Sequence, residues 1–223
     1  MVNEKLVSKI FDSVVKNYDR FLNSMTFGKI GKWQRELAET VSISVNGTVL
    51  DVGTGTGEVL KKFKEINLKN TVIGLDVSQN MLKKAKEKTG YNTFIKASAY
   101  NLPFKNCSLD AIVSSLVFRH LDNEKALLEF NRVLKEDGLI GILDIAKPNP
   151  LLYRIIYFLG NKIFRPIGQL IFSREEWDYF MHSIENSKTE RELEKLFEKH
   201  SYKKIYSSKK FGGLVIIIVF KKK

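Results

Sequence analysis

Seven residues, Asp51-Val52-Gly53-Thr54-Gly55-Thr56-Gly57, set a carboxylate ahead of three glycines at alternate positions. Glycines so spaced let a backbone turn tightly and approach a ligand with no Cβ in the way. The pattern departs from the Gly-x-Gly-x-x-Gly of dinucleotide sites, and the Gly-Lys-Ser/Thr of a Walker loop is absent. A carboxylate at the loop mouth repels a pyrophosphate and suits a ligand of positive charge. Asp76 stands roughly 20 residues beyond Gly53, where an acidic side chain accepts the hydroxyls of a ribose. The combination describes a nucleoside that carries a cation.

These residues need elements that hold them. Thr48–Val52 is a short β-branched run closing in glycines, and Thr71–Val77, Thr93–Ala97, Leu109–Val117 and Leu139–Ile145 read as further strands. Between them lie helical stretches: Val59, Leu60, Phe63 and Ile66; then Met81, Leu82 and Ala85 behind a Ser78 cap. A third, through Leu127, Leu128, Val133 and Leu134, has Asp122 as its cap and Gly138 as its stop. Residues 2–22 place Val7, Ile10, Phe11, Val14, Val15, Tyr18, Phe21 and Leu22 at helical spacing, one amphipathic helix. Thr189 and Glu192 form a capping box for a last helix. Tyr202–Ser207 and Leu214–Phe220 have no room for a crossover helix between them and should pair as an antiparallel edge hairpin. Strands alternating with helices imply an α/β, doubly wound sheet with helices on both faces.

The glycine loop with Asp76 resembles motifs I and II of the class I S-adenosylmethionine-dependent methyltransferases. That resemblance implies a Rossmann-like, seven-stranded, mostly parallel sheet, with the antiparallel hairpin at its end. It places S-adenosylmethionine, and the product S-adenosylhomocysteine, against Asp51, Gly53, Thr54, Gly55, Thr56, Gly57, Asp76 and Val77. Ser98-Ala99 corresponds to the adenine loop, where many relatives carry Asp-Ala. A narrower resemblance, over nearly the whole chain, is to the C-methyltransferases of ubiquinone and menaquinone biosynthesis. Phe11-Asp12-Ser13 through Tyr18-Asp19, then Asn23, Gly28 and Trp33, resemble their "Phe-Asp … Tyr-Asp" signature. Phe118-Arg119-His120 aligns with "Gly-Leu-Arg-Asn", keeping the arginine but neither the asparagine nor the glycine. Leu143–Pro148 resembles "Leu-Glu-Phe-Ser-Lys-Pro", and Tyr153, Tyr157, Pro166, Gly168, Tyr179 and Ser183-Ile184 fit the segment that follows.

The resemblance implies C-methylation of a reduced, demethylated quinone ring. Methyl transfer from a sulfonium is an in-line displacement, to which an enzyme contributes mainly alignment. The ring carbon becomes nucleophilic when an adjacent hydroxyl ionises. Arg119 can lower that phenol's pKa as a fixed cation, but guanidinium is no base. His120 can accept a proton near neutral pH. Tyr18, with Asp19, can close over the cofactor. These three, Arg119, His120 and Tyr18, are the catalytic candidates. No metal site is expected. Methylation of RNA or of another small lipophile, and a non-catalytic cofactor-binding subunit, are the competing readings.

Composition frames the rest. The chain of 223 residues is 43% hydrophobic and 28% charged, an ordinary single globular domain. One cysteine, Cys107, excludes a disulfide framework and points to a reducing, cytoplasmic setting. The net charge is +12, and residues 151–223 hold 15 cations against 8 anions. Excess positive charge favours anionic partners, lipid headgroups or nucleic acid. Against nucleic acid, no Asn-Pro-Pro-Tyr follows the fourth strand; Ser114-Ser115-Leu116-Val117 stands there. The apolar segment 151–172 is interrupted by Arg154, Lys162, Arg165 and Pro166, so a spanning helix is not expected. Leu152, Ile155, Ile156, Leu159 and Ile163 are expected on one helical face. That face suits a lid over a lipophilic acceptor, peripheral contact with an anionic membrane, or a homodimer interface. The expected division is a helical cap over 1–45 and a cofactor-binding core over 46–147. A lid then covers 148–187, and the last helix and hairpin 188–223.

Overall fold

The computed structural model describes residues 4–15, 18–66, 69–160, 162, 165, 173–185 and 187–223. Strand β1 (Thr48–Val52) lies at the middle of the sheet, where Val49, Leu50 and Val52 are at most 1% exposed. Such a run without alternation is what a strand covered on both faces requires. Strands β2 (Thr71–Asp76), β3 (Phe94–Lys96), β4 (Leu109–Ser115) and β5 (Leu134–Ile145) join it in parallel. Strands β6 (Tyr202–Lys210) and β7 (Val215–Lys222) complete the order β3-β2-β1-β4-β5-β7-β6, with β7 antiparallel to both its neighbours. The seven-stranded mixed sheet with its terminal hairpin is the fold expected. β6 forms one edge, where Lys203, Lys204, Lys209 and Lys210 discourage pairing with another chain.

Helices cover both faces. On one lie α3 (Ile30–Ser44) and α4 (Glu58–Glu65), through Trp33, Leu37, Val41, Leu60 and Phe63. On the other lie α6 (Asn123–Val133) and α9 (Glu190–Lys199), through Leu127, Phe130, Leu193 and Phe197. Helix α5 (Gln79–Thr89) starts at the expected Ser78 cap, whose hydroxyl accepts from the Met81 N–H at 3.0 Å. The Asp122 cap and the Thr189–Glu192 capping box also form as read. A third cluster joins α2 (Tyr18–Met25) to α8 (Arg174–Glu185) through Phe21, Trp177, Met181 and Ile184.

Three expectations need correction. The single helix over 2–22 is two helices, α1 (Glu4–Val14) and α2. Gly138 stops no helix: α6 ends at Val133, and Gly138 lies within β5 at a bulge. There the register jumps from Leu109↔Leu134 to Ala111↔Leu139, and a Cβ on Gly138 would stand 2.8 Å from the Lys135 carbonyl. Strand β4 stops at Ser115, because Leu116 turns into the left-handed region at φ +61°. In α7 (Pro150–Leu159), Ile155, Ile156 and Leu159 lie on one helical face as expected; Ile156 and Leu159 line a cavity, and Ile155, at the edge of that face, is 48% exposed. Ile163, Pro166 and Gly168, and the side chain of Leu152, lie outside the described residues. Among the described residues no helix is long and apolar enough to cross a membrane.

Candidate active site

The sheet order reverses between β1 and β4, so a crevice opens beyond the carboxyl ends of these strands. The glycine loop forms its floor. The Gly53 and Thr54 N–H groups both donate to the Leu75 carbonyl, at 2.8 and 2.9 Å, which ties the loop to the end of β2. Gly53 sits at φ +70°, and a Cβ there would fall 2.5 Å from Val117. Only glycine meets both demands. Asp51 is 1% exposed; its Oδ2 accepts from Thr54 Oγ1 at 2.7 Å. Its Oδ1 is buried and has no hydrogen-bond partner among the described residues. Burial pushes this carboxyl up to about 7, with the Asp76 carboxylate adding to the effect and the Thr54 hydroxyl opposing it.

Asp76 does more than end β2. Its Oδ2 accepts the Gly55 N–H at 2.8 Å and its Oδ1 the Ser78 N–H at 2.9 Å. The carboxylate thus shapes the loop and anchors the start of α5, and each oxygen keeps acceptor capacity for a ligand. Burial raises its pKa, opposed by these backbone donors.

The first two helices form a roof. Asp19 accepts from Thr56 Oγ1 at 2.7 Å and pairs with Lys88 Nζ at 2.8 Å. Lys88 also pairs with Glu58, at the start of α4. Lys84 Nζ donates to the Val15 carbonyl at 2.6 Å, and Ser78 Oγ donates to Asp12. Burial raises the Asp19 pKa, but Lys88 and Thr56 outweigh it and hold the carboxyl below its ordinary value. Tyr18, beside it, lines the crevice, and burial pushes its phenol up to about 12. The phenol is therefore a hydrogen-bond donor rather than a base at neutral pH.

The far wall is a single 3-10 turn, Phe118–His120. Arg119 pairs with Asp144 through Nη1 at 2.5 Å, both side chains nearly buried, and its backbone N–H donates to Asp144 Oδ2 at 2.9 Å. Nη1 also donates to the Leu116 carbonyl at 2.8 Å, which holds that residue in its strained conformation. His120 is 5% exposed; its Nδ1 meets the Tyr179 hydroxyl at 2.9 Å. Burial, with the Arg119 charge beside it, drives its pKa well below the ordinary value, so the ring is neutral.

Tyr18, His120, Asp51, Gly53, Thr54, Gly55, Thr56, Asp76, Val77 and Ala99 line one crevice. Three predicted residues do not. Gly57, at φ +80°, starts α4 packed against Thr89 and Ala85. Ser98 Oγ accepts from the Tyr100 N–H. Arg119 faces a second cavity of about 670 Å³, almost wholly apolar, walled by Phe21, Trp33, Ile145, Ile156, Trp177 and Phe180. Leu22 and Leu116 line both spaces, so crevice and chamber adjoin there. Sequence reasoning missed Leu116 as a divider and Asp144 as the partner of Arg119. The apolar character of Phe21, Trp177 and Phe180 was visible, but their convergence on one chamber was not.

Residues 1–222 match the model of the ubiE/COQ5 methyltransferase family. The demethylmenaquinone methyltransferase of Staphylococcus haemolyticus (strain JCSC1435) is 30% identical over 215 residues, covering 93% of this chain and 90% of that protein. The enzyme of the same name from Staphylococcus aureus (strain JH9) is 30% identical over 219 residues, covering 95% and 91%. Among solved structures, an S-adenosylmethionine-dependent methyltransferase from Thermotoga maritima superposes with a TM-score of 0.67 at 21% identity, covering 97% of this chain and 99% of that one. With a family match over nearly its whole length and a fold shared with those structures, the chain belongs to the ubiE/COQ5 methyltransferase family and is an S-adenosylmethionine-dependent methyltransferase.

Proposed function

We propose that the protein methylates a ring carbon of a demethylated quinol with an apolar tail, of the demethylmenaquinol class. One observation carries the reading: a chamber of about 670 Å³ lined by apolar side chains adjoins the glycine-loop crevice. A polar acceptor would lose its hydrogen bonds to water against such walls with little to replace them, whereas an isoprenoid chain is matched by them. The names of the staphylococcal relatives point the same way.

The crevice fits S-adenosylmethionine, which when bound supplies a methyl group on an electron-poor sulfonium. Asp51 offers a buried, unpartnered oxygen to a cationic ligand, and burial without a partner is costly until one arrives. Gly53 and Gly55 give close backbone approach, and Asp76 holds the ribose side. Tyr18 and Asp19 exclude water from above. Leu22 and Leu116 line both spaces, so an acceptor ring in the chamber would approach the crevice past them, and Arg119, fixed by Asp144, would present positive potential to the ring's ionising oxygen. An exposed apolar rim suits a peripheral contact with an anionic membrane: Phe27, which lines the chamber, is 76% exposed and Phe158 60%, and Arg154 and Lys162 each stand four residues from Phe158 along the chain.

The test is label transfer. Protein and methyl-labelled S-adenosylmethionine are incubated with reduced demethylmenaquinone, and in parallel with total RNA. Label in the quinol supports the reading; label in RNA and none in the quinol overturns it.

A further inference from the structure

The crevice contains a buried polar atom that the roles above leave unused. His120 Nε2 is buried and has no hydrogen-bond partner among the described residues, while the ring lines the crevice beside Leu116 and Val117. The ring is fixed on three sides. Tyr179, from α8, lies nearly parallel to it with centroids 5.4 Å apart, and Phe11, from α1, meets it edge-on at 5.8 Å. The Tyr179 hydroxyl lies 2.9 Å from Nδ1.

A neutral imidazole carries one N–H, and the partner of one nitrogen decides the state of the other. A phenol is a stronger hydrogen-bond donor than a neutral imidazole N–H, and an imidazole nitrogen the better acceptor, so the favoured arrangement has the Tyr179 hydroxyl donating to Nδ1, 2.9 Å away. With Nδ1 accepting, the proton of the ring resides on Nε2 and points away from Tyr179. A second proton would put imidazolium beside the Arg119 guanidinium in a dry site, which repulsion and desolvation both oppose.

We propose that His120 acts as a neutral hydrogen-bond donor, offering Nε2–H to the oxygen of the methyl acceptor, and that Tyr179 is the positioning residue that fixes this tautomer. The donor stabilises the oxygen left when the quinol gives its proton to water; the ring carbon then bonds the methyl as the sulfur–methyl bond breaks, the ring hydrogen leaves to water as the ring rearomatises, and His120 removes no proton itself. The assignment rests on the acceptor reading above only for the identity of that oxygen.

Nitrogen NMR of histidine-labelled protein at neutral pH, without acceptor, tests it directly. His120→Gln identifies the signal among the three histidines. The expected spectrum has His120 neutral with the proton on Nε2, and Tyr179→Phe, which keeps the stacked ring, converts it to a mixture of tautomers. A proton on Nδ1, an imidazolium, or a Tyr179→Phe spectrum identical to the parent overturns the proposal. Turnover supplies the second arm. His120→Leu should lower kcat about a hundredfold, as for loss of one fixed donor, and His120→Gln, a donor that cannot act as a base, should recover about tenfold of that. Recovery absent in a folded Gln variant contradicts donation. If no quinol is ever methylated but the tautomer is as stated, the acceptor reading fails and the histidine assignment stands.

Discussion

Asp76→Ala separates two duties that one carboxylate performs. In the folded chain it accepts the Gly55 N–H, in the wall of the crevice, at 2.8 Å and the buried Ser78 N–H at 2.9 Å. A buried N–H stripped of its acceptor costs about 1–3 kcal/mol. Water admitted by the smaller side chain offsets part of this, leaving a loss of roughly 2–3 kcal/mol for the pair. For a chain of this length that lowers Tm by roughly 5–10 °C in the absence of cofactor. The ligand loses separately. Hydrogen bonds to a charged group contribute about 1.5–3 kcal/mol each, so losing two weakens S-adenosylmethionine at least ~100-fold. Asp76→Asn keeps one acceptor and should fall between parent and Ala on both scales. Calorimetric titration with S-adenosylmethionine gives Kd, and differential scanning calorimetry gives Tm. A folded Ala variant that binds within about threefold of the parent, less than 1 kcal/mol, would refute the ribose assignment.

Three further outcomes follow from the same geometry. Gly53→Ala meets both a φ of +70° and a 2.5 Å contact with Val117, so it should abolish cofactor binding, and adding Val117→Ala should not restore it because the backbone strain remains. Arg119→Met leaves the Asp144 carboxylate buried without its guanidinium and should cost about 3–5 kcal/mol in urea unfolding while leaving cofactor affinity nearly unchanged. Asp51 has a folded pKa of about 7, above its ordinary 3.8, so the folded state binds the extra proton between these values. The ligand-free protein should therefore lose stability as pH rises from about 4 to 7, and Asp51→Asn should flatten that slope, leaving the part that Asp76, also raised by burial, contributes. Thermal melts across the range decide it; a slope unchanged by the substitution assigns the effect elsewhere.

Much of this site was legible because its chemistry is local. Asp51 through Gly57 and Asp76 lie at the ends of two adjacent parallel strands, and alternating strand and helix signals suffice to bring them together. The Ser78 and Asp122 caps form because each side chain accepts from a backbone N–H only three residues on. What stayed hidden depends on distant pairing. Arg119 and Asp144 meet only because β4 and β5 are neighbours, and nothing in their spacing marks an ion pair. Tyr179 reaches His120 from a helix after α7, and the register of α8 against the first helices sets that contact. Ile155 and Ile156 share hydrophobicity, yet Ile156 lines the chamber while Ile155, at the edge of the same face, is exposed, a choice made by what α7 packs against. Gly138 carried a helix-stop signal, but the bulge in β5 gave it another use.

The central claim is that a carbon, not an oxygen, of a quinol receives the methyl group. With carbon-labelled S-adenosylmethionine and reduced demethylmenaquinone, NMR of the extracted product reports the bond directly. The expected spectrum shows the label as a methyl on a ring carbon, with both hydroxyls of the quinol free. A label found as a methoxy group would contradict the account.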